Sequence, residues 1–246
     1  MSVRLAVDIG GTFTDATLVD EESGSVAIAK VLTTPADPSE GFMHAAERAV
    51  AEAGLEARDV QFVVHATTVA TNAIIEGNVA RSGFVTTDGF RDLLEIARQV
   101  RPSLYDTRFV KAPPLVPRDR AVGVRERLGP AGEVLVELEE ESVREAAALL
   151  RREEVESVAV CLLHSYVNPA HEQRIGAILA EELPGVPVSL SAEVAPEFRE
   201  YLRASTTVIN AVIRPVVQRY LERIEQRLTE AGIEAKLLVM QSSGGP

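Results

Sequence analysis

The hydrophobic and polar positions change period along the chain, and those changes divide it into elements. Leu5–Ile9 is a short apolar run broken by Asp8 and ended by Gly10 and Gly11, which predicts a buried strand entering a tight turn. A β-type pattern resumes from Thr12 to Val19, a turn falls at Glu21–Gly24, and Val26–Leu32 alternates as a third strand. Three strands joined by short turns make an antiparallel meander. The period then becomes helical. Asp37 reads as an N-cap, Pro38 as the first helical residue and Glu40 as an early acid. Phe42, Met43, Ala46, Ala49, Val50 and Ala53 form one stripe, which Gly54 ends.

Strands at Gln61–His65 and Ser82–Thr87 then alternate with helices at Val69–Glu76 and Gly89–Gln99. This βαβα order after a meander predicts an α/β layer fold. Pro102–Pro117, with four prolines, reads as a loop, and Ala121–Val136 as a hairpin around Gly129-Pro130-Ala131-Gly132. Residues 137–156 hold eight acids against three arginines, with Val143, Ala147 and Leu150 in helical register, which describes a solvated helix rather than an acidic binding patch. A strand at Val158–Leu163, a helix at His171–Leu183 and a strand at Val186–Leu190 follow. A long amphipathic helix is predicted over Pro215–Ala231, and Lys236–Met240 begins a last strand.

Composition narrows the function. The charge sum, 25 Lys+Arg against 37 Asp+Glu, gives −12, a surface that repels nucleic acid and anionic lipid. The single cysteine, Cys161, lies in an apolar run and reads as a buried strand residue. No stretch reaches the roughly 18 apolar residues of a membrane helix, and Met1-Ser2-Val3-Arg4 enters a strand with no secretory hydrophobic region. The expectation is a soluble, cytoplasmic protein. None of the three lysines follows a glycine, so there is no Walker A loop, and no two of the four histidines sit at helical ligand spacing, which argues against a zinc site.

Asp8–Asp15, DIGGTFTD, is the segment that reads as chemistry. A glycine pair lets the backbone approach a ligand closely, and successive N–H groups of such a turn can hold phosphate oxygens. Thr12 and Thr14 add hydroxyl donors, and Asp8 is placed to hold Mg2+ or its waters. On spacing alone, a plain hairpin turn with a polar surface competes with this reading.

The segment resembles the first phosphate loop of the actin/Hsp70/sugar-kinase ATPase superfamily. Within it, the chain is similar to the N-terminal part of the hydantoinase A/5-oxoprolinase family. His65–Ala73 resembles the family's HGTTVATNA, Thr86–Gln99 its TTxGFRDxLEIGRQ, and Arg101–Asp106 the block that follows. Glu193–Tyr201 with Ser205–Ala211 resembles the block before the central domain, and Met240–Gly245 is close to MQSNGG. Ala66 and Ala97 replace family glycines, Ser243 an asparagine, and Leu202 and Val212 a glutamate and a tyrosine.

The resemblance implies a ribonuclease H-like, actin/Hsp70-type ATPase half, with three antiparallel strands, then βαβα units and an additional α/β region. It divides the chain into a phosphate-binding core at 1–120, its continuation at 121–192 and the start of a central domain at 193–246. It implies ATP and Mg2+, with Asp8 toward the metal, and Gly10, Gly11, Thr12 and Thr14 toward phosphate with Asp15 supporting the loop. Thr67, Thr68, Asn72, Arg91 and Arg98 are implied substrate contacts. The alternatives are helix capping by Thr67 or Thr68, and pairing of the arginines with Asp88, Asp92 or Glu95. His65 reads as a satisfied strand-end histidine, and no catalytic base is assigned.

The implied function is the N-terminal portion of an ATP-dependent hydrolase of cyclic amides, with a cyclic amide as small-molecule substrate and a hydantoinase B-type subunit or C-terminal half as partner. Carboxylase-type or kinase-like chemistry, and a non-catalytic half-cleft module, stay open. A strand followed by Ser242-Ser243-Gly244-Gly245 reads as a truncated protein or a disordered terminus.

Overall fold

The computed structural model describes residues 3–100, 103, 105, 106 and 108–240. Arg101, Pro102 and Leu104, and Gln241–Pro246 with the Ser243 departure, lie outside the described residues. In chain order the elements are β1 (Val3–Ile9), β2 (Phe13–Asp20), β3 (Ser25–Leu32), α1 (Pro38–Glu52), β4 (Val60–Thr67), α2 (Val69–Glu76), β5 (Ser82–Thr87) and α3 (Leu93–Ile96). There follow β6 (Ala121–Val124), β7 (Arg127–Leu128), β8 (Val134–Val136), α4 (Glu140–Arg152), β9 (Ser157–Cys161), α5 (Ala170–Glu182), β10 (Val188–Leu190), α6 (Ser191–Val194), α7 (Glu200–Glu230) and β11 (Lys236–Val239). Two units form: Met1–Asn78 with Val216–Pro246, and Val79–Pro215.

In the first unit five strands lie in the order β11-β4-β1-β2-β3. β2 is antiparallel to both neighbours, while β4 runs parallel to β1 and β11 parallel to β4, so β2 alone opposes the other four. Alternation along β1 turns Val3, Leu5, Val7 and Ile9 inward against α1 and the end of α7, where Tyr220, Ile224 and Leu228 are buried. Each such aliphatic side chain contributes roughly 1.5–3 kcal/mol. The same alternation turns Arg4, Ala6 and Asp8 outward. α1 starts as expected. Asp37 Oδ1 accepts from Ser39 N at 3.1 Å, Pro38 is the first helical residue, and Gly54 follows the C-cap with φ 68°.

The second unit holds a parallel sheet in the order β10-β9-β5-β6 and the separate hairpin β7–β8. One face of the sheet packs on α4 and α5 through Val143, Leu150, Ile175 and Leu179. The other packs Phe84, Ala159 and Cys161 against Ala204, Val208 and Val212 of α7. A buried polar knot closes its carboxyl edge: Arg203, 1% exposed, donates to Leu162 O at 2.7 Å and to Ser191 Oγ at 3.1 Å. Ser191 Oγ in turn donates to Glu172 Oε1 at 2.7 Å.

Three elements differ from the sequence expectation. The helix expected at Gly89–Gln99 is only the single turn Leu93–Ile96, because Gly89, Ala97 and Gln99 take positive φ (84°, 52° and 51°) and break the ladder at both ends. Of the expected hairpin at 121–136, Ala121–Val124 instead pairs parallel with β5, drawn in by the burial of Ala121 and Val124. The helix expected to begin at Pro215 begins at Glu200 and runs through that proline. A mid-helix proline removes the donor to the carbonyl four residues back. Here that carbonyl, Ala211 O, accepts from Ser157 Oγ at 2.7 Å, so the missing bond is replaced.

Candidate functional site

The glycine turn sits at the carboxyl end of β1. Gly10 N donates to Phe13 O at 3.0 Å, and a Cβ on Gly10 would stand 3.2 Å from that same oxygen, a tight contact that favours glycine in the turn. Around Gly11 the space is open, and among the described residues the Gly11 and Thr12 amides have no acceptor. Thr33 Oγ1 donates to Gly10 O at 3.0 Å, which uses its only proton, so it accepts from Thr14 Oγ1 at 3.0 Å. Thr14 is therefore inside, bracing the turn from below, while Thr12 is exposed. Asp15 pairs with Lys30 at 2.7 Å and lies in register opposite Asp8. Asp8 is exposed on the outer sheet face and forms no ion pair among the described residues, an arrangement that fits a hydrated divalent cation beside the turn.

β4 delivers the second group. Thr67 Oγ1 accepts from Val69 N at 3.1 Å, so it caps the first turn of α2. Thr68 caps with no side-chain bond, and its hydroxyl instead faces Asn72 Nδ2 at 3.4 Å. His65 is buried, with Nδ1 3.0 Å from Val7 O and Nε2 2.7 Å from Tyr220 Oη. A carbonyl only accepts, so Nδ1 carries the proton and the neutral ring accepts from Tyr220 at Nε2. Burial lowers the His65 pKa, with the Val7 bond and the charge of Asp8 pulling the other way. Burial likewise raises the Tyr220 phenol, against a hydrogen bond with Thr67.

Gly10, Gly11, Thr68, Asn72, Tyr220 and Arg223 meet at one cavity of about 320 Å³ within the first unit. Asp8, Thr12 and Thr14 adjoin the turn but do not line it. Arg91 and Arg98 belong to the second unit. Arg91 is exposed, and Asp92 pairs with Arg118 at 2.5 Å. Arg98 lines a cavity of about 630 Å³ with Lys111 and Tyr201. Thr33, Tyr220 and Arg223 were not singled out in the sequence. The only local sign of Arg223 was the four-residue spacing of Arg219, Arg223 and Arg227. Among the described residues no group of three or more His, Cys, Asp or Glu side chains could hold a metal ion, and no helix is long and apolar enough to cross a membrane.

The strand order with β2 alone reversed, and a glycine turn after β1, define a ribonuclease H-like fold of the type found in actin, Hsp70 and sugar kinases. The family description "Hydantoinase/oxoprolinase N-terminal region" matches residues 4–183, and "Hydantoinase/oxoprolinase" matches 203–246. The chain belongs to the hydantoinase/oxoprolinase family.

It is 40% identical to an uncharacterized protein of Methanocaldococcus jannaschii, over 100% of this chain and 36% of that one. It is 36% identical to the caprolactamase subunit alpha of Pseudomonas jessenii, over 98% of this chain and 36% of that one. The crystal structure of ATP-dependent caprolactamase from Pseudomonas jessenii superposes with TM-score 0.87 at 35% identity, covering 96% of this chain and 35% of that one. The nucleotide-free structure of acetone carboxylase gives 0.83 at 29% identity, covering 97% and 36%. The chain thus spans about a third of the length of these relatives.

Proposed function

We propose that the chain is the N-terminal portion of an ATP-dependent enzyme that opens cyclic amides, working with a C-terminal half and a hydantoinase B-type subunit. The observation that carries this reading is the braced turn at Gly10 and Gly11, whose free amides stand beside a cavity shared with Thr68 and Asn72. It is supported by the likeness to an ATP-dependent caprolactamase, which exceeds the likeness to acetone carboxylase in both identity and TM-score.

Amide resonance makes a lactam carbonyl a poor electrophile. Transfer of the terminal phosphoryl group of ATP to the amide oxygen, with ADP leaving, makes the carbon open to water. The C–N bond of that water adduct then breaks, the nitrogen leaving as the amine, and a second water hydrolyses the acyl phosphate that remains to the carboxylate and inorganic phosphate. Phosphoryl transfer asks the protein mainly for positioning and for donors that meet developing charge. In this chain the Gly11 and Thr12 amides would hold phosphoryl oxygens. The Thr14–Thr33–Gly10 chain keeps the turn rigid, and Thr68 and Asn72 would orient the amide. A magnesium ion held through Asp8 would supply charge neutralisation.

The test is ADP formation by the complete assembly with a cyclic amide, or with a ketone plus bicarbonate. Stimulation by the cyclic amide is expected. Stimulation by the ketone alone would replace this reading with the carboxylase one.

A further inference from the structure

Arg219, Arg223 and Arg227 stand one turn apart on the last part of α7, so they share a helix face on which like charges repel. Arg227 is neutralised: its Nη2 lies 2.9 Å from Asp37 Oδ2 and 3.7 Å from Glu40 Oε1. Arg219 is also engaged. Arg223 is exposed and enters no ion pair or hydrogen bond among the described residues. Its charge reaches Asp37, one of the two acids that share its cavity, but the hydrogen bonds of both acids go to other groups. Asp37 Oδ1 takes both Ser39 N at 3.1 Å and Ser39 Oγ at 2.6 Å, its Oδ2 takes Arg227, and Glu76 Oε2 accepts from Asn78 at 3.0 Å. The same cavity is lined by Gly10 and Gly11, whose turn offers unclaimed N–H donors. Donors in excess of acceptors in one recess, with a guanidinium held on a helix, form a receptor for a small oxyanion.

We propose that Arg223, with Arg219 beside it, forms an oxyanion subsite of this cavity. The oxyanion comes either from the phosphoryl groups of the nucleotide or from a carboxylate carried by the cyclic amide. The subsite rests on reading the glycine turn as a phosphate site and adds to it a residue from a sequence segment some 200 positions away.

The test is calorimetric titration of the chain and of its Arg223→Gln and Arg223→Lys variants with four probes: Mg-ATP, inorganic pyrophosphate, 5-oxoproline and its uncharged counterpart 2-pyrrolidinone. Arg223→Gln should weaken an anion by about tenfold or more, the loss of one charge-assisted contact. Arg223→Lys should fall between, and 2-pyrrolidinone should be unaffected. A loss confined to Mg-ATP and pyrophosphate identifies the nucleotide as the source, and a loss confined to 5-oxoproline identifies the substrate carboxylate. Unchanged binding of every anion by Arg223→Gln overturns the subsite. If Asp8→Ala still abolishes Mg-ATP binding in that case, the phosphate turn stands without it. A wild-type chain that binds none of the anions removes both.

Discussion

Tyr220→Phe deletes one oxygen atom beneath the cavity and leaves the ring that packs beside His65, with centroids 5.6 Å apart. The His65 ring is fully buried, and its Nδ1 proton is committed to Val7 O, so among the described residues Nε2 has no donor but Tyr220 Oη. A buried acceptor stripped of its partner costs about 1–3 kcal/mol. For a chain of this size each kcal/mol moves the thermal midpoint by about 2–4 °C, so the variant should melt about 2–12 °C lower. The pH dependence has a definite sign. Burial keeps the folded His65 below its ordinary 6.5, so as pH falls through 6.5 the unfolded chain takes up a proton that the folded chain refuses. The contribution is complete above 6.5 and is lost below it, with a slope of at most about 1.4 kcal/mol per pH unit. Urea unfolding of both proteins at pH 7.5, 6.5 and 5.5 reads these effects. A midpoint for Tyr220→Phe equal to wild type, with wild-type stability flat over that range, would refute the buried pair.

Three further outcomes follow from single residues. Ala97, at φ 52° and ψ −139°, occupies backbone space suited to glycine. Relief of roughly 1–3 kcal/mol of strain, less about 0.5–1 kcal/mol of glycine entropy, should make Ala97→Gly more stable in urea, and a destabilised variant contradicts this. Burial pushes the Cys161 thiol up to about 11, so Ellman's reagent at pH 8 should label it only after unfolding, and stoichiometric native labelling would place it at the surface. Asp37→Ala should cost about 0.5–2 kcal/mol through the lost N-cap alone. Burial works against the Asp37 charge, but the Ser39 bonds and Arg227 outweigh it and hold the carboxyl below 3.8, so its contribution is present above 3.8 and fades in acid. The D37A variant should accordingly be less acid-sensitive than wild type in that range.

Much of this was legible because its causes are local. The Asp37-Pro38 cap, the inward Val7 and Ile9 around an outward Asp8, and the glycine pair each depend on a few adjacent residues. Thr14, expected to turn its hydroxyl toward phosphate, instead shares the inner face of β2 with Ala16 and Leu18 and braces the turn through Thr33. The rest depends on distant pairs. Pro215 is tolerated inside α7 only because Ser157, far away in sequence, satisfies Ala211 O. Tyr220 enters the site through a bond to a histidine 155 residues earlier. Ala121–Val124 joined β5 because burial in a shared core outweighed the nearby hairpin signal. No local period encodes such partners.

The central claim, that the turn after β1 is a phosphate site, is tested most directly by calorimetric titration of the chain with Mg-ATP beside Asp8→Ala. Saturable binding by the wild-type chain that is lost or weakened about tenfold or more in the variant is the predicted result. Binding of equal strength in both proteins would contradict it.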